Sequence, residues 1–248
     1  MCITHGIIPF MLILAIDTST RSGSLAVLRG EMPLAAVASH EEEPHSSGLF
    51  RSLSGVLGEL KLDLHQIDLF AVATGPGSFT GLRVGLTAVK AWAEVFGKPI
   101  AAISTLEANA AQSKSSAGLL APFFAAGRGQ VFGGLYAHEG VRLVRQADEV
   151  VLSAEEFLQY VSAESRGAPV TLVSSTPDAL GAALKNSAFY ASTVESVSGV
   201  LAPVVGKLGH DRAMRKELVD AYSLDANYVR RSDAELLWKG PASRASRA

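Results

Sequence analysis

Cysteine is all but missing from this chain: Cys2 is the only one in 248 residues. A single thiol excludes an intramolecular disulfide and a thiolate metal cluster, as fits a reducing compartment. Surplus charge is also missing, the formal net charge being −2. A chain that grips nucleic acid by itself needs clustered Lys and Arg to neutralise phosphates, so that class is disfavoured. No apolar run is long enough to span a bilayer. Ile7 to Ile16 comes nearest, but it has no basic segment before it, no small-residue cleavage site, and it runs into Asp17. Met11 reads as the real start and residues 1–10 as an upstream extension. Histidines are few and scattered. His40 and His45 flank a loop holding Pro44 and cannot share a helix face, His5 falls in the extension, and His65, His138 and His210 sit in loop-like contexts. No metal site is expected. No sustained repeat, low-complexity tract or heptad pattern is present.

What is present is an ordinary globular composition, 48% hydrophobic and 19% charged, with one unusual stretch. Ala73-Thr74-Gly75-Pro76-Gly77-Ser78-Phe79-Thr80-Gly81-Leu82-Arg83-Val84-Gly85 joins a strand-like run to a helix-like run. Backbone N–H groups at such a junction favour an anion. Yet Gly81 is followed by Leu82 and Arg83, not by the Lys and Ser/Thr of a Walker loop. Gly75, Gly77 and Gly81 are also one residue too widely spaced for the dinucleotide fingerprint. The helix that follows has two apolar stripes. Leu82, Leu86, Val89, Ala93 and Phe96 make one; Val84, Ala88, Ala91 and Val95 make the other. A helix lying on one sheet needs only the first. The second stripe asks for further cover, from a larger domain or from a partner. The small residues Gly81, Gly85 and Ala88 leave room for a helix to approach.

Hydrophobic periodicity predicts strands at Leu12–Asp17, Ser24–Leu28 and Leu34–Ser39, then a helix capped by Ser46 or Ser47 and running to Leu60. A strand at Ile67–Thr74, a helix at Thr80–Phe96 stopped by Gly97-Lys98-Pro99, and a strand at Ile100–Ile103 follow. The order β-β-β-α-β-α-β resembles the ribonuclease-H-like half of actin-like ATPases and sugar kinases, an α/β fold. The second half predicts a helix at Leu106–Gln112 and strands at Leu119–Ala125, Gln130–Ala137 and Val141–Gln146. A helix opens at the capping box Ser153/Glu156, Val170–Ser174 is a strand, and Gly199–Leu208 is weakly helical. The domain reading is a first lobe over 11–105 with a returning helix at about 196–210, a reduced second lobe over 106–195, and a disordered tail over 236–248.

Asp17, with Thr18 and Ser19 behind it, is the best candidate for chemistry. In actin-like folds this turn touches nucleotide phosphates, but the same three residues make an Asx or Ser/Thr turn anywhere. A nuclease of the ribonuclease-H type needs several acids at strand ends, and only Asp17 qualifies. No Ser stands in a G-x-S-x-G elbow. Tyr228-Val229-Arg230-Arg231 carries two arginines that could meet phosphate or simply be solvated.

Four blocks together carry a resemblance. Leu12-Ile13-Leu14-Ala15-Ile16-Asp17-Thr18-Ser19-Thr20, Gly75-Pro76-Gly77-Ser78-Phe79-Thr80-Gly81-Leu82-Arg83, Ser104-Thr105-Leu106-Glu107-Ala108 and Tyr228-Val229-Arg230 stand in the order seen in the TsaB (YeaZ) family. That family is similar to TsaD and serves bacterial threonylcarbamoyladenosine synthesis beside the tRNA anticodon. The resemblance implies a cytoplasmic, two-lobed actin-like protein that is not the catalyst, needs no cofactor and binds TsaD through helices 47–60 and 80–96. Interface residues implied are Leu49, Leu53, Val56, Arg83, Gly85, Ala88 and Trp92. Asp17, Thr18 and Ser19 are implied as a vestigial nucleotide site, with weak nucleotide binding only in the complex. TsaE is implied on the assembled complex, tRNA only through it, and a homodimer when TsaD is absent. Gly85→Leu is accordingly expected to leave folding intact and to weaken association. The chain departs from the family at Ala125-Ala126-Gly127-Arg128-Gly129-Gln130-Val131-Phe132, where D-A-R-R-G-E-V-Y is common. It also lacks the H-x-x-x-H pair of TsaD relatives. The rival readings are an ATPase or small-molecule kinase using Asp17, and a metallopeptidase, against which the missing histidine pair speaks.

Overall fold

A computed structural model describes residues 10–21, 23–38 and 45–229. The expected extension before residue 10, His40, Arg230, Arg231 and the expected tail lie outside the described residues. Two five-stranded sheets organise the chain. In the first, β1 (Leu12–Asp17), β2 (Ser24–Arg29) and β3 (Met32–Ala38) form an antiparallel meander. The chain then runs through α1 (His45–Leu60), β4 (Leu69–Gly75), α2 (Phe79–Phe96) and β5 (Ile100–Ser104), giving the order β3-β2-β1-β4-β5 with β4 parallel to β1 and to β5. β1 and β4 read as nearly unbroken apolar runs because both faces of the sheet are covered.

α1 and α2 cover one face, packing Leu53, Val56, Leu86 and Val89 onto Leu14, Ile16, Phe70 and Val72. Ser78 caps α2 by accepting from the Gly81 N–H at 3.2 Å. Gly97 ends it in the left-handed region at φ 61°, as its stop signal predicts.

The second sheet is built from β6 (Leu119–Gly127), β7 (Gln130–Glu139), β8 (Arg142–Ser153), β9 (Val170–Ser174) and β10 (Val194–Ser196), after the short α3 (Thr105–Ala110). Its order β10-β9-β6-β7-β8, with a meander followed by two parallel partners, repeats the first sheet's plan. The repeat is reduced: α4 (Ala154–Ser165) is followed by α5 (Gly181–Lys185) of only 5 residues and a 3-residue β10. This is the two-lobed actin-like architecture. α4 opens on the anticipated capping box, Ser153 and Glu156 each binding the other's backbone N–H.

Three expectations need correcting. β8 is twice as long as the predicted Val141–Gln146, because Asp148 and Glu149 interrupt the apolar alternation without ending the strand. The returning helix is α6 (Ala202–Met214), longer than the weak Gly199–Leu208 signal. His210 consequently lies inside a helix, and His138 inside β7, neither in a loop.

α6 covers the sheet face opposite α1 and α2, against Ile13, Ala15, Ala26 and Leu28. It approaches so closely that a Cβ at Gly206 would stand 2.2 Å from Leu28 Cδ1, and one at Gly209 2.7 Å from Ala71 Cβ. Beyond α6 the chain runs beside β5: Val219 bridges Ile100, Leu224 is buried, and the Asn227 N–H donates to the Thr74 carbonyl at 2.8 Å. No helix among the described residues is long and apolar enough to cross a membrane.

Candidate functional site

The turn after β1 gathers the three residues of greatest chemical interest and buries all of them. Asp17, Thr18 and Ser19 are 0%, 3% and 2% exposed. Asp17 Oδ1 accepts from the Ser19 N–H at 2.8 Å and from the Ser19 hydroxyl at 2.6 Å. Among the described residues, its Oδ2 and the Thr18 hydroxyl have no hydrogen-bond partner. Burial pushes the Asp17 carboxyl up to about 6, against the pull of the two Ser19 bonds.

The glycine loop covers this turn directly. The Ser78 N–H donates to the Ser19 carbonyl at 2.7 Å, and a Cβ on Gly77 would sit 2.3 Å from that same oxygen. A Cβ on Gly85 would sit 2.4 Å from Thr18 Oγ1. The Ser78 N–H, a donor of the kind a phosphate cradle presents outward, is thus engaged by the chain's own turn, and the Ser78 hydroxyl by the α2 cap. Of the small residues of α2, Gly85 serves this internal contact. Gly85 therefore does not mark an external helix crossing, which corrects the expectation from the sequence.

An open groove lies instead along the outer side of α2 beside α1. It has a volume of about 560 Å³ and is lined by Phe50, Phe79, Arg83, Val84, Ala91 and Trp92, among others. Phe50 is 52% exposed and meets Trp92 edge-on at 6.1 Å between ring centroids. At one end Arg83 lies over the Phe79 ring at 3.8 Å and donates to the Tyr228 hydroxyl at 3.3 Å. Of the residues named from the sequence, Arg83, Ala88 and Trp92 line this groove. Leu49, Leu53 and Val56 do not: they are 3%, 5% and 6% exposed and point into their own lobe. The most regular apolar stripe of an amphipathic helix is its core-facing stripe, so those three are corrected to core. The second stripe of α2 is the one left open, with Val84, Ala88 and Ala91 in the groove and Val95 75% exposed. Phe50 was missed because a single aromatic off the main stripe of α1 carries no periodic signal.

Between the lobes, polar groups meet each other. Glu149 of β8 accepts from the Tyr136 and Ser104 hydroxyls on Oε1 and from the Asn227 side-chain amide on Oε2. Burial, then the Glu149 charge, pushes the Tyr136 phenol well up, so it remains a proton donor. Arg212 of α6 binds both Glu107 oxygens at 2.9 Å and Glu217 at 2.9 Å. Arg142 of β8 stands 3.6 Å from Glu217. Ala125, which replaces the acid common at that place, donates its N–H to Thr176 Oγ1.

Comparison with known proteins fits this geometry. A family model described as TsaD: tRNA N6-adenosine threonylcarbamoyltransferase matches residues 35–218. The tRNA threonylcarbamoyladenosine biosynthesis protein TsaB of Bacillus subtilis is 28% identical over 236 residues, which is 92% of this chain and 98% of that protein. The tRNA N6-adenosine threonylcarbamoyltransferase of Thermodesulfovibrio yellowstonii is 35% identical over 112 residues, 39% of this chain and 34% of that one. Among solved structures, YeaZ from Pseudomonas aeruginosa superposes with a TM-score of 0.69 at 24% identity, covering 88% of this chain and 99% of that one. That likeness shows the fold.

Proposed function

Because the chain belongs to the TsaD family, we propose that it serves tRNA threonylcarbamoyladenosine biosynthesis as a non-catalytic, cytoplasmic subunit that docks TsaD. The single observation carrying this reading is the exposed apolar groove along α2, with Phe50 and Trp92 at its wall. A large apolar patch rimmed by polar groups marks a partner site. The likeness to TsaB over nearly the whole length of both chains supports the same role. The lone candidate acid supports it too, since Asp17 is wholly buried with no second carboxylate bonded to it. TsaE and tRNA then reach this chain only through the assembled complex.

Co-expression with TsaD from the same organism, followed by size-exclusion chromatography, tests the proposal. Ala91→Arg places a long cation in the groove on an exposed helical position and leaves the core untouched. The parent chain co-elutes with TsaD, while Ala91→Arg melts within a few degrees of it and binds TsaD weaker by at least about tenfold. An unaltered affinity in Ala91→Arg, or no complex with the parent chain, overturns the docking face. ATPase turnover by the isolated chain that vanishes in Asp17→Ala overturns the non-catalytic role.

A further inference from the structure

α6 meets the hairpin between β2 and β3 at a side-chain cluster with no part in docking. Glu31 stands on the hairpin turn, while His210 and Asp211 are neighbours on α6. One potential ligand atom from each lies within 4.8 Å of the other two. His210 is 9% exposed, and among the described residues neither of its ring nitrogens has a hydrogen-bond partner. Buried side-chain polar atoms are nearly always paired, so a buried Nδ1 left open beside Glu31 points to something beyond the chain itself.

Its Nδ1 faces Glu31 Oε1 at 3.7 Å, which is too long for a hydrogen bond. That spacing suits two ligands on one small cation: at about 2.0–2.2 Å from a tetrahedral zinc ion, neighbouring ligand atoms stand roughly 3.3–3.6 Å apart. The charges agree as well. A neutral imidazole and two carboxylates balance a divalent ion. Without one, the carboxylates of Asp211 and Glu31 are left close together with no cation between them.

We propose that Glu31, His210 and Asp211 bind a zinc-class divalent cation through one imidazole nitrogen and two carboxylate oxygens, with water completing the shell. The ion would fasten the hairpin to α6 on the sheet face opposite the docking groove. It is therefore structural and separable from partner binding.

Metal-stripped full-length protein titrated with Zn²⁺ against a chromophoric chelator reads this out, with Co²⁺ absorption as the check on ligand type. One equivalent per chain binds with micromolar or tighter affinity, and the melting temperature rises with Zn²⁺. Glu31→Gln and His210→Gln each weaken binding by at least about tenfold. Glu31 is exposed, its side chain retaining 68% of its accessible surface, so Glu31→Gln keeps the test valid even where the buried His210 variant misfolds. No saturable binding overturns the site, as does unchanged affinity in Glu31→Gln. Affinity that instead disappears in Cys2→Ser assigns the ion to the thiol and overturns it too.

Discussion

Asp17 shows what burial does to a single carboxyl. The folded chain holds its carboxyl at about 6, against 3.8 for a free side chain, because burial penalises the charged form. The sign follows from proton linkage. Between those two values the native state binds the proton more tightly than the unfolded state, so stability falls as pH rises through the window and the full penalty is present above it. Asp17→Asn keeps an acceptor for Ser19 and removes the charge. It is expected to gain up to about 3 kcal/mol at about pH 7 and only a small part of that near pH 4. Urea denaturation of both proteins at the two pH values measures the difference. Equal gains at both would show that the carboxyl's charge is not what strains the turn. Gly77 and Gly85 close over its turn.

Gly85 belongs to the scale of elements, since its role is set by how α2 lies on the turn after β1. Leucine there would drive a Cβ to within 2.4 Å of Thr18 Oγ1, with three more carbons beyond. The expected outcome is loss of about 3 kcal/mol or more of folding stability, seen in a circular dichroism melt, whatever the state of the docking face. A mutant as stable as the parent would show that the turn gives way easily.

The same contact shows where sequence reading stops. β1, β4 and α2 were legible because their apolar periods are long and their caps, Ser78 and Gly97, are of the usual types. The box at Ser153 and Glu156 was legible for the same reason. Small residues on α2 declared close packing but not its direction, which depends on where Thr18 folds. α6 was faint because Gly206 and Gly209, placed toward the sheet, remove the apolar face that periodicity detects. The groove residues were half legible: α2's second stripe was read from its spacing, and Phe50 was not.

At the scale of the whole molecule, the two lobes are bound by a few buried polar groups. Glu149 accepts from Ser104 and Asn227 across the lobes and from Tyr136 within its own sheet. Asn227→Ala removes the donor to one carboxylate oxygen and should cost about 2 kcal/mol, the scale of a hydrogen bond to a charged group. Hydrogen exchange should rise over residues 216–229 and along β8, while α1 and α2 stay protected. Unchanged exchange along β8 would mean that the lobes are held by other contacts. A hinge that opens and closes around a ligand is ill served by such a link, and a platform of fixed shape is well served by it.

The return of α6 to the first sheet also sets an order of assembly. Ile13, Ala15 and Leu28 are covered by Ala202 and Val205, which follow them by most of the chain's length. During synthesis at roughly 5–20 residues per second, one face of that sheet waits for many seconds with no cover from its own chain. The second lobe, whose contacts are shorter in sequence, can close in the meantime. The half of the protein made first is thus the half finished last, and the newborn chain is most open to aggregation and to helper proteins while that apolar face stands bare.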